Sequence, residues 1–207
     1  MIEKGYIGAY LNLFLMKSAI QRIPDSLIYE MINGNPIYYK GYQEYLNGTK
    51  QIEELMGSSI VQSLIISRLL FLLQVELGVE YEILTNEIGI QFEKKSWRAA
   101  DIAIVKTEEI EQVKSSNKYL SFAPEVVIEI DTKAELKDIK NPLSYYHEKT
   151  DELLKFGVKK VIWIFTETQK VLVAQKDQKW ETGNWSEEVN IIGNYNIIIE
   201  DILKKRK

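Results

Sequence analysis

The sequence predicts an α+β fold (mixed α/β), with a central sheet flanked by at least two helices. Three observations predict it. Short β-branched and aromatic runs recur, the strongest being Glu125-Val126-Val127-Ile128-Glu129-Ile130 and Val161-Ile162-Trp163-Ile164-Phe165. Two longer stretches, 51–77 and 143–156, carry apolar residues at helical spacing and stop at Gly78 and Gly157. Turn signals, Asn33-Gly34-Asn35 and Asn47-Gly48, punctuate the first quarter.

The elements follow in order. Residues 7–18 read as a short helix or leader, and Pro24 breaks the chain. Residues 1–25 are therefore set apart from a single domain over 26–207. Ser26 to Ile32 and Pro36 to Lys40 form a hairpin around Asn33-Gly34. In 51–77, Ile60, Leu64, Leu69, Leu72 and Leu73 form the expected apolar row, and Ser58 or Ser59 can cap the helix. Glu80 to Leu84, Glu87 to Phe92 and Ala100 to Val105 read as strands. Residues 106–120 are a charged loop with one helical turn at most. Strand 125–130 comes next, then a polar stretch, then the helix over 143–156. Lys160 to Thr166 pairs with Lys170 to Ala174 as a hairpin. Trp180, Trp185 and Ile197 to Ile199 mark short edge strands.

Composition narrows the chemistry. Of 207 residues, 45% are hydrophobic and 27% charged, which excludes wholesale disorder. The chain has no cysteine, so disulfides, thiolate catalysis and cysteine-ligated metal centres are excluded, and a cytoplasmic home is the simplest. His147 is the single histidine, which excludes sites built on paired histidines. Hard-cation chemistry on carboxylates and lysines remains. The net charge of −4 gives no bulk attraction for nucleic acid, so a polyanion would need a local basic patch or a metal. The Lys204-Lys205-Arg206-Lys207 tail reads as a solvated end. No run reaches the roughly 18 apolar residues of a membrane span. Residues 5–16 are moderately apolar, but Glu3, Asn12 and the lack of a small-residue cleavage site spoil a signal sequence.

The informative residues are carboxylates in apolar strands. Asp101 directly precedes Ile102-Ala103-Ile104-Val105, and Glu129 lies between Ile128 and Ile130. A buried carboxylate costs several kcal/mol unless it is paired or binds metal. Two such acids on neighbouring strands suit Mg²⁺ or Mn²⁺; two hydrogen-bonded acids at strand ends would look the same. Strand alternation puts Val127, Glu129, Asp131 and Lys133 on one face that turns polar, as at the mouth of a cleft. Lys149 shares a helical row with Tyr145, Leu153 and Phe156, so it either snorkels to water or aims into a site.

At these residues the chain resembles a family. Arg98 to Val105 is similar to its arginine, proline, aspartate and branched-aliphatic motif, with Ala100 where the proline stands. Pro124 to Thr132 is similar to its proline-led strand with a central glutamate. Lys149, Leu153, Gly157-Val158 and Trp163 resemble its lysine, tyrosine, glycine-valine and tryptophan motif, with one spacing adjustment and Leu153 for the tyrosine. Tyr29-Glu30-Met31-Ile32-Asn33-Gly34 resembles its opening hairpin. The family is the Uma-two group of restriction-type endonucleases, in the PD-(D/E)XK nuclease superfamily. The resemblance spans residues 28–200. It implies a restriction-endonuclease-like core, Asp101 and Glu129 as divalent-metal ligands with the Ile130 carbonyl as a third, and Lys149 as the catalytic lysine moved onto the following helix. A histidine common early in the family's long helix is replaced here by Val61 or Gln62.

The expected function is Mg²⁺-dependent endonucleolytic hydrolysis of phosphodiester bonds, with DNA as substrate. Lys94, Lys95, Arg98 and Lys133 are candidate backbone contacts. Asp131-Thr132-Lys133 also matches the superfamily's D-x-K pattern, so Asp131 with Lys133 is an alternative second motif. Two further readings stay open: a catalytically silent nuclease-fold module that binds nucleic acid or a protein, and a carboxylate-based sugar hydrolase. A homodimer would suit the cutting of both strands of a duplex.

Overall fold

The computed structural model describes residues 23–139 and 141–204. The expected leader falls on residues 1–25 and lies almost wholly outside them. A 3-10 turn, Asp25–Leu27, leads into the hairpin β1 (Ile28–Ile32) and β2 (Asn35–Tyr38). Asn33 and Gly34 both take positive φ, 49° and 80°, as this tight turn requires. Two short helices that periodicity does not resolve come next, α1 (Tyr42–Leu46) and α2 (Ile52–Met56). They close a small cluster of Leu27, Tyr42 and Leu55.

The long helix α3 (Ile60–Leu77) starts at Ser59, whose Oγ accepts from the Gln62 N–H at 3.2 Å. Its buried row is Gln62, Ile65, Leu69 and Leu73. Ile60 and Leu64 are exposed, contrary to the apolar row expected from the sequence, because the helix is apolar on both faces and composition alone does not orient it. It is the one helix among the described residues long and apolar enough to cross a membrane by length and composition.

The two strands expected at 80–84 and 87–92 are one strand, β3 (Tyr81–Glu93), with a bulge at Asn86 and Glu87, both at positive φ. It pairs along β4 (Ser96–Lys106). Then come α4 (Thr107–Glu111), β5 (Val126–Ile130), α5 (Pro142–Phe156), β6 (Lys160–Phe165), β7 (Lys170–Gln175) and β8 (Glu181–Asn184). A hairpin of β9 (Glu188–Ile192) and β10 (Tyr195–Ile198) precedes α6 (Ile199–Leu203), so Ile199 is helical rather than in an edge strand.

Strands β1 to β8 form one mixed sheet, antiparallel except for β5 beside β6. α3 covers one face over Ile102, Ile104, Ile128 and Ile130; α5 covers the other over Val127, Val161 and Trp163. The α+β class and the helix-flanked sheet are as the sequence predicts.

One feature of the topology positions the site. β3 runs along one whole edge of β4, so β1 and β5 share its other edge. β5 pairs at Ile102 to Ile104, and β1 meets β4 at Trp97. Residues 98–101 lie in the fork between them, where backbone N–H groups need partners other than a strand.

Candidate active site

Carboxylates fill that fork. The Ala99 N–H donates to Glu30 Oε1 at 3.2 Å, and the Ile130 N–H donates to Asp101 Oδ2 at 2.8 Å. Extending the β4–β5 register by one residue places Asp101 opposite Glu129. Asp101 also borders an open cleft of about 380 Å³, with Ser63 and Ser67 of α3, Glu87 and Lys133 around it.

Lys149 reaches into the fork from α5, fixed there by an Asn141 cap with Pro142 in the first turn. Its Nζ lies 2.8 Å from Glu30 Oε1 and 2.9 Å from Glu129 Oε1, and all three side chains are inaccessible to solvent. The rings of Tyr29, Tyr145 and Trp163 surround the ammonium at 5.4–5.9 Å from their centroids. The row of Tyr145, Lys149 and Leu153 thus aims inward and does not snorkel.

The two acids that share Lys149 differ sharply. Glu30 Oε2 accepts from Arg98 at 2.7 Å and from the Tyr145 hydroxyl at 2.9 Å, so both oxygens are satisfied. Burial works to raise its pKa, but Lys149 and Arg98 together hold it below the usual carboxylate value. Glu129 Oε2 has no hydrogen-bond partner among the described residues. Burial pushes the Glu129 carboxyl up to about 8, Lys149 opposing and Asp101 adding to the rise. Burial also raises Asp101, against its bond from the Ile130 N–H.

Asp101, Glu129, Ile130 and Lys149 therefore come together. Gln62, in the first turn of α3 and one of the two residues offered in place of the expected histidine, donates to the Ile130 carbonyl at 2.8 Å. The alternative pair is arranged differently. Asp131, at φ 58°, accepts from the Thr166 N–H at 2.8 Å and its hydroxyl at 2.5 Å, tying the ends of β5 and β6. Lys133 pairs with Glu87 and donates to the Met56 carbonyl at 3.0 Å. Arg98, a candidate backbone contact, is buried between Glu30 and Glu152 and presents no surface to a polyanion. Lys94 and Lys95 are exposed at the β3–β4 turn.

A divalent cation fits this donor set. Glu129, opposite Asp101 in the extended β4–β5 register, carries an orphaned oxygen, and the Ile130 carbonyl keeps a second lone pair beyond Gln62. No group of three or more His, Asp or Glu side chains suited to a metal gathers among the described residues. Mg²⁺ commonly takes one or two carboxylates and completes its shell with water. Sequence reasoning missed Glu30 and Glu87. Glu30 was within reach, since it lies between Tyr29 and Met31 in a strand, as Glu129 lies between isoleucines. Glu87 was not, since its placement depends on the bulge.

No family model matches the chain, and no curated protein matches it. Among solved structures it is similar to a candidate nuclease belonging to DUF820 from Anabaena variabilis ATCC 29413. The TM-score is 0.61 at 16% identity, over 84% of this chain and 88% of that one. That likeness shows the fold.

Proposed function

We propose that the chain is a divalent-metal-dependent endonuclease of the Uma-two type that hydrolyses phosphodiester bonds in DNA. The observation that supports it most is the buried Glu129 carboxylate opposite Asp101, with one oxygen on Lys149 and the other without a partner among the described residues. Asp101, Glu129 and the Ile130 carbonyl would hold Mg²⁺ or Mn²⁺. When bound, the ion polarises the phosphate and lowers the pKa of an attacking water. Gln62 steadies the Ile130 carbonyl, and the Ile130 N–H steadies Asp101, so each donor is braced by its neighbour. Lys149, held cationic by two carboxylates in a dry site, offsets negative charge developing on the phosphate. The DUF820 neighbour, named a candidate nuclease, supports the same reading.

The test is Mn²⁺ titration by calorimetry on wild type and Glu129→Ala, with plasmid nicking in parallel. Saturable binding and nicking, both lost in Glu129→Ala, are expected. One observation favours a second reading, a catalytically silent module: Glu129 and Lys149 are both inaccessible to solvent. Metal binding without nicking of any duplex or single strand would favour it.

A further inference from the structure

We propose that Glu30 is a positioning residue, the anchor that takes Lys149 over from Glu129 when the acid pair binds a divalent cation. The inference rests on the metal-dependent reading above and adds a residue to it. Its basis is a mismatch of charge. Among the described residues, Glu30, Glu129, Asp101, Glu152 and Glu87 face Lys149, Arg98 and Lys133, so with all groups ionised the cluster lacks two positive charges. A divalent cation supplies them.

The structure also says which acid would receive it. Glu30 has no oxygen to spare, being bound by Lys149, the Ala99 N–H, Arg98 and Tyr145. Among the described residues, Glu129 has one oxygen unpartnered and the other on Lys149. A cation on Glu129 therefore competes with Lys149 for that carboxylate. An ammonium expelled from Glu129 into a dry interior would be prohibitive without another carboxylate at contact distance. Glu30, already 2.8 Å from Nζ, is that carboxylate. Arg98 and Tyr145 hold it still, so Lys149 needs only a small displacement.

Mn²⁺ calorimetry at one fixed pH tests this on wild type, Glu30→Gln, Lys149→Met and the double variant, each first shown folded by circular dichroism. Without the Glu30 charge, Lys149 stays on Glu129, so Glu30→Gln weakens Mn²⁺ binding about tenfold or more. Removing the competing ammonium as well restores it, so the double variant binds within about threefold of wild type. A purely structural loss would not be repaired by taking away a second buried charge. If Glu30→Gln does not fold, Lys149→Met alone decides: it binds Mn²⁺ at least as tightly as wild type, and weaker binding overturns the proposal. Wild-type affinity in Glu30→Gln, or a double variant as weak as the single, also overturns it and leaves the nuclease reading intact. Absence of Mn²⁺ binding to wild type overturns both.

Discussion

Two lysines are buried among the described residues, and they are buried for different reasons. Lys149 lies between two carboxylates in a ring of aromatic faces. Lys160, at the start of β6, pairs with no carboxylate among the described residues. Its Nζ donates to the Asn190 and Ile191 carbonyls at 3.0 and 3.1 Å and to Asn190 Oδ1 at 2.6 Å. The first has its pKa raised: burial favours the neutral amine, but Glu129 and Glu30 outweigh it. The second has its pKa lowered by burial alone. Lys160 is a clasp between β6 and the β9–β10 hairpin. On the nuclease reading proposed above, Lys149 is a charge held for use, since two desolvated acids share one ammonium where a clasp such as that of Lys160 needs none. Burial of a charged group marks a functional site only when the partners exceed what structure requires.

Replacing each lysine separates the roles. Lys149→Met leaves Glu129 without its counter-ion and Glu30 with Arg98 alone. Loss of about 3 kcal/mol in urea unfolding is expected, together with a nicking rate lower by about a hundredfold or more. Wild-type nicking in a folded Lys149→Met protein would remove the lysine from the mechanism.

Lys160→Met deprives two backbone carbonyls of a donor but also removes a poorly compensated charge. The net cost is about 1 kcal/mol, and nicking stays within about twofold. A hundredfold loss of nicking here would dissolve the contrast between the two residues.

The same pair separates with pH. Lys160 has a folded pKa below its unfolded one, so between the two values the unfolded chain binds more protons and stability rises with pH. Below that window the cost of its charge is present in full. Subtracting the Lys160→Met pH profile from that of wild type should therefore leave a difference that rises with pH towards the ordinary lysine pKa. A flat or falling difference would mean that Lys160 is solvated rather than clasped.

Much of this was legible in the sequence, and the parts that were not share a cause. Glu129 and Asp101 were readable because an acid inside an apolar strand is anomalous wherever the strand goes. Gly157 and a serine cap at Ser58 or Ser59 were readable because helix ends are local, and the structure puts the cap at Ser59. The direction of Ile60 and Leu64 was not, since a helix apolar all round carries no phase. The fork between β1 and β5 was not either, since which strands share an edge of β4 is a long-range fact. Glu30 therefore read as one residue of a hairpin, although the fork makes it the partner of Arg98 and Lys149. Lys160 read as the first residue of a strand, because its partners on β9 lie thirty residues away.

The smallest expected effect concerns the D-x-K match. In Asp131→Asn the amide oxygen still accepts from the Thr166 N–H, and asparagine tolerates the left-handed φ of 58° at this position. The charge is lost and the turn is kept. If Asp131 only ties β5 to β6, the variant nicks DNA within about threefold of wild type and costs about 1 kcal/mol from the weakened bond to the Thr166 hydroxyl. If Asp131 instead held the metal, the amide would bind a hard cation far less well than the carboxylate, and nicking would fall as far as in Glu129→Ala. The two outcomes differ by orders of magnitude in rate, while the structure changes by one atom. The comparison therefore assigns the second motif to Glu129 with Lys149 or to Asp131 with Lys133, without depending on fold stability.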